Sequence, residues 1–184
     1  LPPGLNPLFA DDMYSVRASE LLFESLIGWD KEQKPSPMLA TSWEISSDKK
    51  AITLNLRENV KWHDGVPHTS ADVQFTVEAI NKGDWKPESV DGFDRITSVD
   101  IPDSLTAVVH YKEIYAPYRY QFVRGTLPRH VLAGRDINTA NDYNRKPLGT
   151  GPYRVAEWKT GEYILLERAP GYWRGAEYPK IQKL

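Results

Sequence analysis

The clearest pattern of apolar and polar positions runs from residue 39 to residue 77. In the segment AITLNL at 51–56, aliphatic side chains at the even positions alternate with small or polar side chains at the odd ones. This period of two predicts a strand with one buried face. Asp64-Gly65 then predicts a tight turn, because both residues tolerate a positive φ, and Pro67 is expected to end strand pairing because it lacks an N–H.

The same stretch continues into a predicted helix that ends near residue 81. Thr69 or Ser70 is expected to cap it, since either hydroxyl can accept a backbone N–H at a helix start. Asp72 falls in the first turn, where a carboxylate interacts favourably with the positive end of the helix dipole. Aliphatic residues recur at helical spacing from Val73 to Ile80, which predicts a buried stripe on one face.

Shorter segments predict the remaining elements. Helical spacing from Val16 to Leu26 predicts a helix that Gly28 ends. A short helix is expected after Pro117, and another over 127–132. Antiparallel strand pairs are predicted at 96–101 with 106–111 and at 153–158 with 163–168, and loops at 82–92 and 135–146.

Composition and charge narrow the classes of function. A chain of 184 residues with 40% hydrophobic residues can bury a sizeable core. The 23 basic and 25 acidic side chains are scattered, with a net charge of −2, so nucleic acid is not an expected partner. Cysteine is absent, which excludes disulfides, thiolate nucleophiles and cysteine metal sites but fits either the cytosol or the periplasm.

Several polar or glycine-rich groups could be mistaken for reactive sites. Gly149-Thr150-Gly151 resembles a phosphate loop, but Pro152 and a strand follow it where a helix N-terminus would be required. A tight backbone crossing is the better interpretation. The four histidines lack the HxxxH or HExxH spacing of metal sites, and the serines near the N-terminus lack the context of a nucleophile elbow. No cofactor or metal is therefore expected.

Motifs in a fixed order along nearly the whole chain resemble those of the large extracytoplasmic solute-binding proteins of ABC importers, the group that carries oligopeptides, dipeptides and nickel chelates. The motifs are LNPL at 5–8, LFESL at 22–26, PMLATSW at 37–43, LRENVKWHDG at 56–65, TSADV at 69–73, YAP at 115–117, LPRHVL at 127–132, GTGPY at 149–153, LER at 166–168 and YW at 172–173. Each motif alone is weak evidence, whereas the ordered set is specific. The resemblance identifies the chain as a member of extracellular solute-binding protein family 5.

The resemblance implies an α+β fold of the periplasmic-binding-protein-like type II class. Residues 1–36 and 146–184 are expected to form part of the lobe I core, and residues 37–145 an inserted subdomain of that lobe. Family members are much longer, and the second lobe that closes over the ligand follows the segment that ends at Leu184. The chain is therefore expected to be a fragment without lobe II, with half of the contacts that trap a ligand by hinge closure.

Five residues are implied as ligand contacts by their places in the family pattern. Asp11, Asp12 and Met13 follow the LNPL motif, in a loop that faces the ligand cleft in relatives; the alternative role for the two carboxylates is a helix cap. Arg124 would pair with a ligand carboxylate, and its alternative role is a surface ion pair. Trp85 would stack over the ligand, and its alternative role is core packing.

The resemblance implies a substrate-binding component of an ABC importer, which captures peptides or similar small solutes outside the cytoplasmic membrane and delivers them to permease subunits. Receptors for nickel chelates or oligosaccharides, and a sensory or adaptor protein, are the alternatives left open. Relatives are periplasmic or extracellular, in some cases with a lipid anchor in the membrane, and the chain is expected to be monomeric. A hydrolase that uses carboxylates such as Glu24 and Asp30 is a third class of function, but no residue spacing supports it.

Overall fold

The computed structural model of the protein describes residues 4–10, 12–82 and 92–184. The helices are α1 (Met13–Leu22), α2 (Ser70–Asn81), α3 (Tyr118–Gln121), α4 (Arg129–Leu132) and α5 (Asn141–Arg145), with a 3-10 turn at Phe93–Arg95. The strands are β1 (Ile27–Trp29), β2 (Pro35–Pro37), β3 (Ala40–Ile45), β4 (Ala51–Leu56), β5 (Ile96–Asp103), β6 (Thr106–Tyr111), β7 (Tyr153–Lys159) and β8 (Tyr163–Arg168). Helices and strands are mixed along the chain, as the α+β prediction requires.

The chain separates into two compact units. The first unit contains the described residues of Leu1–Glu24 together with Asn59–His68 and His130–Leu184, and the second contains Ser25–Glu58 and Thr69–Arg129. These bounds differ from those of the predicted inserted subdomain, 37–145. The prediction concerns the subdomains of a complete two-lobed protein, and it stays a prediction.

The second unit is built on a four-stranded antiparallel sheet in the order β3-β4-β6-β5, against which α2 packs. The alternation predicted for 51–56 is confirmed, because Ile52, Leu54 and Leu56 are all buried. The helix stripe is also confirmed, since Val73 and Ile80 lie in the core. Burying these faces against each other removes apolar surface from water, which is the main stabilising contribution to the unit.

Capping of α2 follows the prediction. Thr69 is the N-cap, and its backbone N–H donates to the Asp72 carboxylate at 2.9 Å. The other carboxylate oxygen accepts the backbone N–H of Arg129, also at 2.9 Å. Asp72 is buried, so both bonds lie in surroundings where an unmade hydrogen bond is costly.

The first unit contains α1, α5 and the predicted antiparallel pair β7-β8, whose turn includes Gly161 at a positive φ of 83°. Tyr153, Val155 and Leu166 form the buried face of this strand pair.

The predicted turn at Asp64-Gly65 is present, with Gly65 at φ +91°. Pairing continues one step beyond Pro67, however, because the His68 N–H donates to the Val60 carbonyl at 2.9 Å. Pro67 therefore does not end the pairing as predicted.

Two other sequence-based predictions are wrong. Helix α1 ends at Leu22, and Gly28 lies inside strand β1. The Leu22 carbonyl accepts the Gly151 N–H at 2.8 Å. This N–H takes the place of the backbone donor that a further turn of the helix would have supplied. The segment 135–146 contains α5 despite its polar composition, because burial of Tyr143 gives that turn an apolar contact. The predicted loop at 82–92 lies almost wholly outside the described residues.

None of the helices within residues 4–10, 12–82 and 92–184 combines the length and the apolar character that crossing a lipid bilayer requires.

Candidate functional site

Asp12 forms the cap that the sequence predicted as its alternative role. Its carboxylate accepts the backbone N–H groups of Tyr14 at 2.8 Å and Ser15 at 3.0 Å, and also the Ser15 hydroxyl. The Ser15 hydroxyl and these backbone donors lower the pKa of Asp12 below its ordinary value. The carboxylate is therefore ionised at neutral pH and fixed at the start of α1.

Met13 and Tyr14 present two large side chains to solvent in the first turn of α1. Met13 is 71% exposed and Tyr14 is 75% exposed. Exposed apolar side chains beside a fixed carboxylate form a surface that can contact both the apolar and the cationic parts of a ligand. Tyr14 was not predicted from the sequence, and the only available signal was its position next to Met13.

Arg124 lies in the second unit, in the segment between α3 and α4. Its neighbour Gly125 forms an isolated antiparallel bridge with Ser25, which fixes the backbone there. Among the residues that the structure describes, no hydrogen bond or ion pair involves the Arg124 guanidinium. The predicted alternative of a surface ion pair is therefore not observed in this part of the chain. Asp11 and Trp85 lie outside the described residues.

Glu24 and Asp30, the two carboxylates considered for hydrolysis, both have structural partners. Glu24 is buried and accepts hydrogen bonds from the Tyr172 hydroxyl at 2.5 Å and the Trp173 indole N–H. The Arg174 Nε lies 3.8 Å from the same carboxylate. Asp30, in the other unit, accepts the backbone N–H groups of residues 32 and 34.

The charge of Glu24 is balanced within its own cluster. The Arg174 guanidinium stacks on the Trp173 ring, 4.8 Å from its centroid, and both groups face the carboxylate. Burial and the hydrogen bond to Glu24 raise the pKa of Tyr172, so its hydroxyl remains a donor at neutral pH. These donors give the buried carboxylate a structural role within the unit.

The glycine motif is a tight crossing, as predicted. A Cβ atom on Gly149 would lie 1.8 Å from the Leu22 carbonyl oxygen, and one on Gly151 would lie 2.6 Å from the Leu22 carbonyl carbon. His63 also contacts the crossing, with its Nε2 atom 3.0 Å from the Gly151 carbonyl oxygen. Only glycine permits this approach of two backbones.

The other histidines among the described residues contact carboxylates or an aromatic ring. His130 lies 2.8 Å from the Asp64 carboxylate, and His110 lies 2.9 Å from that of Asp100. His68 is buried with its ring centroid 5.5 Å from that of Trp62. Across residues 4–10, 12–82 and 92–184, no group of three or more His, Asp or Glu side chains is placed to hold a metal ion.

Comparison with known sequences gives one consistent result. The profile described as bacterial extracellular solute-binding proteins, family 5 Middle, matches residues 34–184. The glutathione-binding protein GsiB of Pectobacterium atrosepticum is 28% identical over 98% of this chain and 35% of its own length. The oligopeptide-binding protein AppA of Bacillus subtilis is 29% identical over 96% of this chain and 34% of its own length. The chain thus spans about a third of the length of these relatives.

Solved structures give the same result. NikZ from Campylobacter jejuni, in complex with Ni(L-His), matches with a TM-score of 0.87 and 30% identity over 95% of this chain and 35% of that chain. Bacillus subtilis AppA, in complex with a nonapeptide, matches with a TM-score of 0.86 and 29% identity over 95% of this chain and 36% of that chain. These matches confirm the predicted fold class. Because the family profile covers most of its length, the chain belongs to the bacterial extracellular solute-binding proteins of family 5.

Proposed function

We propose that this chain is part of the substrate-binding component of an ABC importer that captures peptides and delivers them to permease subunits. The observation that carries the proposal is the family match over residues 34–184. A relative supports the substrate class, because Bacillus subtilis AppA was solved in complex with a nonapeptide. Capture requires no chemical change in the solute, which agrees with the structural roles of Glu24 and Asp30.

The first turn of α1 is the proposed contribution of the first unit to ligand binding. Met13 is exposed there, and Asp12 is held in one geometry by three hydrogen bonds. A preorganised carboxylate binds a peptide ammonium group without a further loss of side-chain freedom. The proposal also includes Asp11 and Trp85, and it does so only because of their positions in the family pattern.

Arg124 is the proposed contribution of the second unit. Within the described part of the chain its guanidinium has no carboxylate partner, so ligand binding there would not have to break an existing ion pair. A guanidinium matches the two oxygens of a ligand carboxylate in a bidentate geometry. The proposed partner is a peptide C-terminus or an acidic side chain.

The location and partners of the whole protein follow from the same proposal. The protein would act in the periplasm or outside the cell, either free or with a lipid anchor. It would bind its solute as a monomer without a cofactor and dock on the permease in the membrane. A sensory or adaptor role uses the same fold and remains an alternative to delivery.

A receptor for nickel chelates is the second candidate. NikZ, in complex with Ni(L-His), is 30% identical to this chain and has a TM-score of 0.87. Within the described residues no cluster of side chains is placed to hold a metal, so a chelate would be recognised through its organic ligand. A receptor for oligosaccharides, considered from the sequence, has no comparable observation in its favour.

Isothermal titration calorimetry tests the proposal directly. This chain and the longer protein that contains it would each be titrated with a pool of di- to pentapeptides, and separately with Ni(L-His). Binding of peptides by the longer protein supports peptide capture. Binding by the longer protein and not by this chain also places the decisive contacts outside residues 1–184. If the longer protein binds Ni(L-His) and no peptide, the nickel-chelate proposal replaces the peptide proposal. If it binds neither ligand, both proposals are overturned.

A further inference from the structure

His63 connects three backbone groups at the glycine crossing. Its own N–H donates to the Gly149 carbonyl at 2.9 Å, and the Gly149 N–H donates to its ring Nδ1 at 3.2 Å. Its ring Nε2 lies 3.0 Å from the Gly151 carbonyl oxygen. A single side chain therefore contacts the crossing through both ring nitrogens.

These partners determine the protonation state of the ring. Because a backbone N–H faces Nδ1, that nitrogen must be an acceptor, and the proton of the neutral ring must lie on Nε2. An Nε2–H can donate to the Gly151 carbonyl, so both contacts are satisfied in this tautomer. A second proton would place an N–H on Nδ1 directly opposite the N–H of Gly149. The closed crossing accepts only the neutral imidazole.

Burial and one nearby cation favour the neutral form of the ring, whereas the hydrogen bond to the Gly151 carbonyl and one carboxylate favour the protonated form. Burial of the ring is the largest influence and lowers the pKa of His63 to about 4. Arg154, on β7, disfavours a second positive charge, whereas Asp64, in the same turn as His63, favours one. At the crossing, Gly149 and Gly151 carry no side chain, and Leu22, at the end of α1, approaches them through its backbone carbonyl.

The crossing in turn holds the end of α1. The Gly151 N–H donates to the Leu22 carbonyl at 2.8 Å, which is the bond that replaces the next turn of the helix. The contacts between α1 and β7 also lie in this unit. If the crossing opens, α1 loses its fixed C-terminal end, and Asp12 and Met13 lie at the other end of the same helix.

We infer that neutral His63 is an acid-sensitive lock on the crossing of Gly149–Gly151 over Leu22, and that protonation of its Nδ1 opens the crossing and releases the end of α1. The lock itself rests on the contacts of His63 with Gly149 and Gly151. Its effect on ligand capture, through Asp12 and Met13, rests on the proposed function.

Nuclear magnetic resonance of this 184-residue chain tests the lock without any ligand. The ¹⁵N shifts of the His63 ring would be followed from pH 7 to pH 3.5, and amide exchange of Gly149 and Gly151 would be measured over the same range after correction for intrinsic rates. We expect the Nε2–H tautomer at pH 6. We expect the opening constant of Gly151 to rise about tenfold for each pH unit between pH 6 and pH 4.5, because the open form binds one more proton.

Two variants and one internal control separate the lock from general acid unfolding. His63→Asn retains an acceptor for the Gly149 N–H but cannot titrate, so the opening constant of Gly151 should change less than about twofold over this range. His110→Asn alters an exposed histidine on β6 and should leave the slope unchanged. The Val109 amide, in the β4-β6 ladder, reports unfolding of the second unit.

Three results would overturn the inference. The first is a His63 ring that titrates near its ordinary pKa of 6.5. The second is an Nδ1–H tautomer at pH 6, and the third is a pH slope of Gly151 exchange that is the same in His63→Asn as in the unmodified chain. Failure of peptide titration with the longer protein would affect only the proposed function, because none of these measurements uses a ligand.

Discussion

The Asp72 carboxylate accepts the backbone N–H of Arg129 at 2.9 Å, although the two residues are 57 positions apart. Asp72 lies in the first turn of α2, and Arg129 is the first residue of α4. One carboxylate therefore stabilises the start of α2 and anchors the start of a second, much shorter helix. A helix of four residues is not stable by itself, so α4 depends on this tertiary contact.

Asp72→Asn should destabilise the protein by about 1–3 kcal/mol, because the amide has one acceptor oxygen for the two N–H groups that the carboxylate now binds. Urea unfolding followed by circular dichroism measures the change. Asp100→Asn removes an exposed carboxylate whose partner is His110, and should cost less than about 0.5 kcal/mol. Equal effects of the two substitutions would contradict the proposed role of Asp72.

Gly149→Ala should destabilise the protein by about 3 kcal/mol or more, because the added Cβ would lie 1.8 Å from the Leu22 carbonyl oxygen. The obstacle is backbone, which cannot rotate away as a side chain can. Gly4→Ala is the matched control, since its Cβ would meet the Asn144 carbonyl oxygen at an ordinary 3.5 Å. Thermal unfolding of both variants measures the difference, and a Gly149→Ala variant as stable as the control would disprove the tight crossing.

Glu24→Gln should cost about 2–4 kcal/mol, because the neutral amide leaves Arg174 without its carboxylate and has too few acceptors for Tyr172 and Trp173. Trp173 lies against the substituted group, so tryptophan fluorescence should follow unfolding of this region. Glu162→Gln, in an exposed pair with Lys159, is the control and should change the free energy of unfolding by less than about 0.5 kcal/mol. A loss as small as that of the control would show that the Glu24 cluster contributes little.

Stability should fall as the pH decreases from 6.5 to about 4. Burial lowers the pKa of folded His63 from 6.5 to about 4, so the unfolded chain binds more protons within this window. The loss should approach about 3 kcal/mol at the acid end, since each unit of pKa shift corresponds to about 1.4 kcal/mol. Urea unfolding at half-unit pH steps measures the slope. His63→Asn should flatten it above pH 4.5, and an unchanged slope in that variant would assign the effect to other groups.

Three exposed aspartates add to acid destabilisation at lower pH. Hydrogen bonds from serine, asparagine and arginine side chains hold the pKa values of Asp48, Asp136 and Asp142 below the ordinary 3.8. Their contributions are present above the unfolded pKa and are lost as the pH falls through the folded values. The window between pH 6.5 and pH 4.5 is therefore the one in which His63 should be distinguished from them.

Local patterns predicted the elements whose signal lies within the segment itself. The alternation at 51–56 was confirmed as β4, and Asp72 was confirmed in the first turn of α2. The end of α1 was missed, because the group that replaces its last turn is Gly151, and no periodicity near Leu22 signals a residue that distant. Short-range pattern predicts which segments form strands and helices, and long-range contacts decide where some of them end.

In the candidate site, too, local features could be predicted from the sequence, and features that depend on distant residues could not. The cap at Asp12 could be predicted, because an aspartate before an apolar periodic segment has a local function. The lack of an ion-pair partner for Arg124 among the described residues could not, because it depends on which distant carboxylates the fold brings near. The glycine crossing was predicted as a close approach, but the role of His63 in it required the structure.

Arg124→Gln should weaken peptide binding by the longer protein about 10- to 100-fold, because loss of a charge-assisted bidentate pair costs about 1.5–3 kcal/mol. Its stability should not change, since the guanidinium has no partner within the described residues. Arg119→Gln, whose side chain lies over the Tyr118 ring at 5.5 Å, is the matched control and should bind normally.

Amidation of the peptide C-terminus makes the Arg124 test specific. If Arg124 binds that carboxylate, amidation should weaken binding to the unmodified protein by a similar factor and should have almost no further effect on Arg124→Gln. This non-additivity is the signature of a direct contact between the two changed groups. Calorimetry of the four protein and peptide combinations measures it. Additive losses would place Arg124 away from the C-terminal carboxylate, and no loss in either single change would remove Arg124 from the proposed site.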